Sequence, residues 1–517
     1  MKPDSQTPDM SKQEKLFAQF PPISTEEWME KIKADLKGAD FDNKLIWKTN
    51  EGFAVKPFYR SEDTEGLTFI STLPGEFPYI RGTKKHGNNW LIRQNIDVED
   101  YTLANKKALD ILMKGVDSLG FVISDPESVN DKNIEALMKG IHYESVEINF
   151  LSNGKAKEIL ESFIKAVKKN GSDITKIKGA IEADPLGRLM INGTLCIPVE
   201  SGLDYLASLT REAAYLPFLK TIRVNASNFT NAGADIVKEL AFGLSMGNEY
   251  MTQLTERGIS TDLAASKICF TFGIGSNYFF EIAKLRAARL LWALIVSGWN
   301  PEKDESTVMD IHCITSRWNK TIFDPYVNLL RTQTEAMSAA LGGTDSLTVD
   351  PFDMVFRQPD EFSERIARNQ QLILKDEAYF DKTADPAGGS WYIEKLTHLI
   401  AENSWKLFVE IENRGGFLAS LKDGFILKSI NESASIRKAD IEGKKEILLG
   451  TNQYPDLRET ISSDLDFSRI FPDKPEESDN IVEPIRLFRG SEEADKLRIS
   501  SPEIFKSKFG STKKSEL

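Results

Sequence analysis

The chain has 517 residues, of which 41% are hydrophobic and 28% charged, enough for one very large domain or two to four ordinary ones. Its 65 Lys and Arg against 78 Asp and Glu leave a net charge of −13, which excludes a general nucleic-acid or anionic-membrane binder. Three widely spaced cysteines in apolar, strand-like surroundings, Cys196, Cys269 and Cys313, argue against a disulfide framework or zinc site and for a reducing cytoplasm. The polar start has no apolar signal core, and the run Leu290 to Trp299 falls short of the roughly 20 residues needed to cross a bilayer.

In chain order, Ser24 with Glu27 predicts a capping box for a helix from Thr25 to Leu36, with Gly38 at its stop. Lys44 to Tyr59 alternates as two strands around Asn50-Glu51-Gly52. From Trp90 onward, strand-like runs recur between helical patterns: Trp90–Ile96, Phe121–Ser124, Val146–Leu151, Ile177–Asp184, Thr221–Ser227, Ile268–Ile274, Met309–Thr315 and Ser346–Asp350. Eight such βα units predict an α/β fold, a closed TIM (β/α)8 barrel, in preference to an open doubly wound sheet. In the helix from Tyr278 to Ile295, Phe279, Ile282, Leu285, Ala288, Trp292 and Ile295 form an apolar stripe, with Lys284, Arg286 and Arg289 expected largely elsewhere. Helices follow at Ser363–Lys375 and Trp391–Arg414. The polar stretch around Pro472 and Pro475 is expected to be weakly ordered, and the Lys- and Ser-rich tail Phe505–Leu517 to be frayed. This divides the chain into an arm (1–60), a barrel with C-terminal helices (61–480) and a polar extension (481–517).

Few motifs carry chemistry by themselves. Gly273-Ile-Gly275 lacks the third glycine of a dinucleotide loop and reads as a strand-to-helix turn. Asp310-Ile-His312 resembles a cobalt-presenting sequence, but His312 sits in a predicted central strand and reads as a barrel-lining histidine. Adjacent His312 and Cys313 point to opposite faces and make no metal site. Glu182 and Asp184 at a strand end are either a carboxylate pair at the barrel mouth or a cap and a salt-bridge partner. Arg81-Gly-Thr-Lys84-Lys85-His86 is a basic loop suited by charge to phosphate, or a solvated loop.

Longer stretches carry a resemblance. Leu73-Pro-Gly-Glu-Phe-Pro-Tyr-Ile-Arg-Gly82, Trp90-Leu-Ile-Arg-Gln94, Ala232-Gly-Ala234, Phe270 to Trp292, Asp324-Pro-Tyr-Val-Asn-Leu-Leu-Arg331 through Leu347, Ile366-Ala-Arg-Asn369 and Asp385-Pro-Ala-Gly-Gly-Ser390-Trp-Tyr-Ile-Glu394 resemble the methylmalonyl-CoA mutase family over roughly residues 16 to 490. The resemblance implies a barrel threaded by coenzyme A, followed by a cobalamin domain, in an isomerase that interconverts methylmalonyl-CoA and succinyl-CoA. Here the cobalamin domain is expected to be absent.

Where the family's motifs carry functional residues, this sequence departs. Lys85 stands for a Tyr that contacts the acyl group, Glu182 for a Gln, Asn192 for the Arg that grips the substrate carboxylate, and Asn228 for the His at the thioester carbonyl. His312 is retained, but Ile314 replaces a Gln, and Asp350 and Met354 replace an Asn and a Glu. An uncharged amide does not reproduce a bidentate guanidinium clamp. The resemblance therefore implies a non-catalytic subunit that forms a heterodimer with a catalytic large (alpha) subunit. That partner would bind the adenosylcobalamin, this chain none, and the N-terminal arm would contact the partner. The other readings are a mutase for another acyl-CoA with a separate cobalamin subunit, and an acyl-CoA-binding protein in which coenzyme A contacts the barrel.

Overall fold

The computed structural model describes residues 19–152, 154–459, 465–471 and 480–509, so the stretch around Pro472 and Pro475 lies outside the described residues. They fall into two compact units. The first comprises the chain up to Thr49 with Phe53–Phe58. It holds helix α1 (Thr25–Asp35), a helical turn at Phe41–Leu45 and an antiparallel ladder pairing Trp47 with Val55 and Lys48 with Ala54. The capping box forms: the Glu27 N–H donates to Ser24 Oγ and the Ser24 N–H to the Glu27 carboxylate, each at 3.2 Å. Neither helical segment has a buried residue.

In the second unit, among the described residues, eight strands close into a parallel barrel: β1 (Leu91–Asp97), β2 (Ser118–Ile123), β3 (Glu147–Ser152), β4 (Gly179–Ala183), β5 (Leu219–Asn225), β6 (Ile268–Ile274), β7 (Ile311–Thr315) and β8 (Ser346–Thr348). They follow chain order, and β8 pairs back onto β1. Each predicted strand is present; β2 is displaced most, starting at Ser118 instead of Phe121. Apolar residues on the outer faces, such as Ile92, Leu119, Ile148, Ile222, Phe270 and Leu347, are fully buried. Parallel strands need helical crossovers, which cover the outer wall.

Short helices α2 (Pro185–Asn192) and α3 (Ser227–Asn231) follow β4 and β5. The long helices α4 (Tyr278–Gly298) and α5 (Trp391–Asn413) pack on each other outside the barrel. That second layer corrects the stripe predicted for α4. Phe279, assigned to the wall, is 48% exposed, whereas Lys284, Arg286 and Arg289 are at most 2% exposed. Each cation is compensated. Lys284 Nζ donates to Glu239 and to the Gly273 carbonyl at 2.6 Å and ion-pairs with Glu281 at 2.6 Å. Arg286 pairs with Glu394 at 2.8 Å and with Asp385. Arg289 donates to the carbonyls of Tyr79 and Gly342.

The predicted Ser363–Lys375 helix is an α-helix over Glu361–Leu372 that widens into one π-turn, Ile373–Glu377. The wider turn places Lys375 Nζ on the Trp90 carbonyl at 3.0 Å,. Residues Phe505–Phe509, expected to fray, lie instead in the helix Pro502–Phe509, and Phe505 and Phe509 bury against Ala494 and Leu497. Two phenylalanines four apart supply the apolar face that overall composition masks; residues 510–517 lie outside the described residues. Cys269 and Cys313 are buried in strands, but Cys196 is exposed in the loop after α2, a correction to its strand-like reading. No described helix is long and apolar enough to cross a membrane.

Candidate functional site

The inner face of the barrel is polar and filled. Arg93 on β1 donates to Glu182 on β4 at 2.7 Å, and Arg223 on β5 lies 2.9 Å from the same Glu182 oxygen. One carboxylate thus bridges two guanidiniums across the axis, with side-chain exposures of 1%, 11% and 7% for Arg93, Glu182 and Arg223. Arg223 also donates to Thr271 at 3.0 Å, while Asn149 donates to Ser118 and Glu147, at 3.2 Å each. Gly120 faces this cluster: a β-carbon there would sit 2.0 Å from Asn95 Oδ1 and 2.9 Å from Arg93 Nε, so the glycine makes room for the arginine,. His312 lies among these groups at 4% exposure, with Nδ1 2.8 Å from Ser346 Oγ.

Above this floor, at the C-terminal ends of the strands, two cavities open. One, of about 940 Å3, is lined by Asn95, Asn225, Asn228, Asn231, Ile314, Arg317, Asp350 and Met354. The other, of about 770 Å3, is lined by Glu182, Asp184, Asn192, Cys196 and Asn228 with apolar walls from Ile123, Leu195 and Leu206. Catalytic groups of (β/α)8 barrels gather at this end.

Of the predicted positions, Glu182, Asn192, Asn228, Ile314, Asp350 and Met354 therefore collect at the mouth, and His312 lies deeper in the barrel. Asn192 ends helix α2, because Asp184 and Pro185 start a helix directly after β4,. Asp350 faces Arg317, whose Nε approaches it at 3.3 Å. Lys85 is exposed and lines neither cavity. Its loop lies by the opposite, N-terminal ends of the strands: Lys84 Nζ donates to the Thr344 carbonyl at 3.2 Å and pairs with Asp345 at 3.4 Å, just before β8. Arg81 is likewise engaged, by Asp385 at 2.8 Å.

Burial governs the titration of these groups. It pushes the His312 imidazole well below its ordinary pKa, aided by the nearby cations Arg93 and Arg223,. Glu147 and Asp184 move the other way, again through burial, and Asp184 reaches about 6. Asp184 is a cap: it accepts from the Gly187 N–H at 2.9 Å and the Tyr250 hydroxyl at 2.6 Å. The pair suggested by Glu182 and Asp184 thus separates into an axial ion bridge and a helix cap.

Residues Asn480–Gly490 form an extended strap across this end. Backbone N–H groups of Ile481 and Val482 donate to the Gly193 carbonyl, Ile485 to Met190, Phe488 to Asn231 and Gly490 to Trp318. Leu487, Phe488 and Arg489 line the larger cavity. At Gly193, φ is +74° and a β-carbon would lie 2.7 Å from Asn480 Oδ1, so both the cap geometry and the strap require glycine,.

Sequence reasoning missed Arg93 and Arg223 as the axial cations. A signal was available: Arg93-Gln-Asn95 and Arg223-Val-Asn225 repeat an Arg-x-Asn spacing in otherwise apolar strands, which puts each Arg and Asn on one face,.

The family model for methylmalonyl-CoA mutase matches residues 48–130 and 127–496. The chain is 46% identical over 494 residues to the methylmalonyl-CoA mutase small subunit of Porphyromonas gingivalis, covering 94% of this chain and 78% of that protein. It is 35% identical to the methylmalonyl-CoA mutase of Rhizobium meliloti, covering 79% of this chain and 61% of that one. It is 32% identical to the methylmalonyl-CoA mutase large subunit of Streptomyces virginiae, covering 84% and 62%. The chain thus spans about three fifths of the latter two. A solved dipeptide epimerase from Methylococcus capsulatus aligns over 51% of this chain at a TM-score of 0.27 and 11% identity, too remote to bear on the fold. On its barrel, its motifs and these matches, the chain belongs to the methylmalonyl-CoA mutase family.

Proposed function

We propose that this chain is the small, non-catalytic subunit of an adenosylcobalamin-dependent methylmalonyl-CoA mutase, stabilising a catalytic large subunit. The observation that carries the reading is the Arg93–Glu182–Arg223 bridge across the barrel axis, with exposures of 1%, 11% and 7%. A coenzyme A tail threaded along the axis needs that volume. The site positions argue the same way: Asn192 and Asn228 replace the guanidinium and imidazole that the resemblance assigns to the substrate, and function follows the site more than the fold. The name of the Porphyromonas relative, at 46% identity, supports the assignment to a small subunit.

In this reading adenosylcobalamin belongs to the partner and supplies radical chemistry there. His312 does not fit the role of cobalt ligand: it is 4% exposed inside the barrel, with Nδ1 at Ser346. The paired states of Arg81 and Lys84 also weaken a phosphate-binding role for the basic loop, and with it the acyl-CoA-binding reading. The N-terminal unit, whose helical segments bury no residue, is the part we assign to partner contact,.

Co-expression with a methylmalonyl-CoA mutase large subunit tests the assignment. The expected result is a single co-eluting species with a higher unfolding temperature than the large subunit alone. Separate elution with unchanged unfolding temperatures would overturn it.

A further inference from the structure

The turn that carries β6 into α4, Gly273-Ile-Gly275, is gripped from behind by three ionisable side chains. The Gly273 N–H donates to Glu239 Oε1 at 2.8 Å, its carbonyl accepts from Lys284 Nζ at 2.6 Å, and the Gly275 N–H donates to Glu281 Oε1 at 2.8 Å. The second oxygen of each carboxylate converges on the same Lys284 Nζ, both at 2.6 Å. Glu239 comes from the helix Ile236–Glu256, Glu281 and Lys284 from α4. All three side chains are shut off from water, with exposures of 1%, 2% and 0%.

Two carboxylates facing one ammonium leave a negative charge uncompensated if all three ionise, and a dry site makes that charge costly. Among the described residues, the cations around the cluster are already engaged: Arg286 by Glu394 and Asp385, Arg289 by backbone carbonyls, Lys320 by Glu335 at 2.7 Å, and Lys238, on the helix of Glu239, by Asp235. Cys313 on β7 and Glu335, which also face the cluster, are acids and bring no positive charge. Burial pushes the Glu239 carboxyl up to about 7, with Lys284 pulling against the rise and the Glu281 charge reinforcing it. Two carboxylates that meet at one ammonium titrate as a unit.

The turn is also in contact with the rim of the barrel mouth. At Gly273 a β-carbon would lie 3.2 Å from Thr230 Cβ and 3.4 Å from Ser227 Cβ, so α3 rests directly on the turn, and Asn228 and Asn231 of α3 line the larger cavity. The Ile274 carbonyl accepts from the Ser316 N–H at 2.8 Å, which ties the turn to the end of β7 as well. We propose that Glu239 and Glu281 hold one proton between them near neutral pH, and that its release accompanies opening of the β6 turn and of α3, which rests on it. The closed cluster keeps a proton that the open, hydrated carboxylates give up, so opening is favoured as pH rises. That rise starts at about 4.3 and levels off above about 7. This pH-sensitive hold on the mouth goes beyond the subunit assignment and does not rest on it.

Hydrogen exchange of the full chain, corrected for the intrinsic pH dependence of the exchange step, tests it in peptides spanning 227–231 and 268–280. Opening should become about tenfold more frequent between about pH 5 and about pH 7 and then level off. Glu239→Gln and Glu281→Gln should each flatten that profile, because either substitution leaves a single carboxylate for Lys284. A merely structural role for the pair would lower stability in both variants but leave the profile sloped. As a second readout, unfolding at about pH 6 should release roughly one proton more from the native chain than from either variant, a difference that vanishes at about pH 9. A flat exchange profile in the native chain, which needs no variant to fold, would overturn the proposal. So would a native slope or native proton release retained in either folded variant.

Discussion

Two of the clusters in which the chain buries ionic groups are built differently. Outside the barrel, Lys284 sits between Glu239 and Glu281 with 2.6 Å contacts, Glu239 also accepts from the Gly273 N–H and Glu281 from the Gly275 N–H. Every arm of that cluster grips the strand-to-helix turn after β6, so its role is structural. Inside the barrel, Arg93 and Arg223 share Glu182, and Arg93 NH1 is left without a partner. That cluster occupies space more than it locks a turn. Buried ion pairs give little net stability but become costly when one partner is removed. The two clusters should therefore fail to different extents.

The largest loss is expected for Lys284→Met, which strands two carboxylates: about 3–5 kcal/mol, read by chemical denaturation. A loss no greater than that of Glu182→Gln would erase the distinction. Glu182→Gln keeps a hydrogen-bond acceptor but leaves two guanidiniums unneutralised, and should cost about 2–3 kcal/mol, with the mouth-end fold retained. Gly120→Ala should cost about 1–3 kcal/mol, because its β-carbon meets Asn95 Oδ1 at 2.0 Å and must displace the packed Arg93 side chain,. An unperturbed Gly120→Ala protein would mean that the interior is looser than the axial bridge implies.

The smallest effects are in the pH dependence. The folded protein holds His312 neutral, with its pKa pushed well down. As pH falls below about 6.5, the unfolded chain takes up a proton that the barrel refuses, so this group lowers stability towards acid. Asp184 acts in the opposite sense, since its folded pKa of about 6 lies above its unfolded value. Between about 4 and 6 the unfolded chain ionises first, and stability falls as pH rises through that window. Unfolding curves of His312→Asn and Asp184→Asn against pH should each lose the corresponding slope; identical slopes in all three proteins would contradict both assignments.

The barrel was legible because its signal is repetitive: eight apolar runs at βα spacing leave few alternatives. The second helical layer was not. Periodicity in α4 reports which residues are apolar, but Lys284 meets Glu239, Arg286 meets Asp385 and Glu394, and Arg289 meets the carbonyls of Tyr79 and Gly342, all distant in sequence, and no local pattern encodes those partners,. The site was legible in part for the same reason. Motif positions brought Glu182, Asn192, Asn228, Ile314, Asp350 and Met354 to the mouth, Asn192 from the end of helix α2, whereas Lys85 lies at the other end. The axial bridge depends on a register across three strands, which a single strand does not disclose.

We propose that the chemistry of the assembly resides in the partner subunit. The most direct test is adenosylcobalamin-dependent methylmalonyl-CoA turnover by this chain alone, by the large subunit alone, and by the two co-purified. Turnover wherever the large subunit is present, and none from this chain alone, is the predicted result. Turnover by this chain alone would contradict the account of its filled barrel and of Asn192 and Asn228.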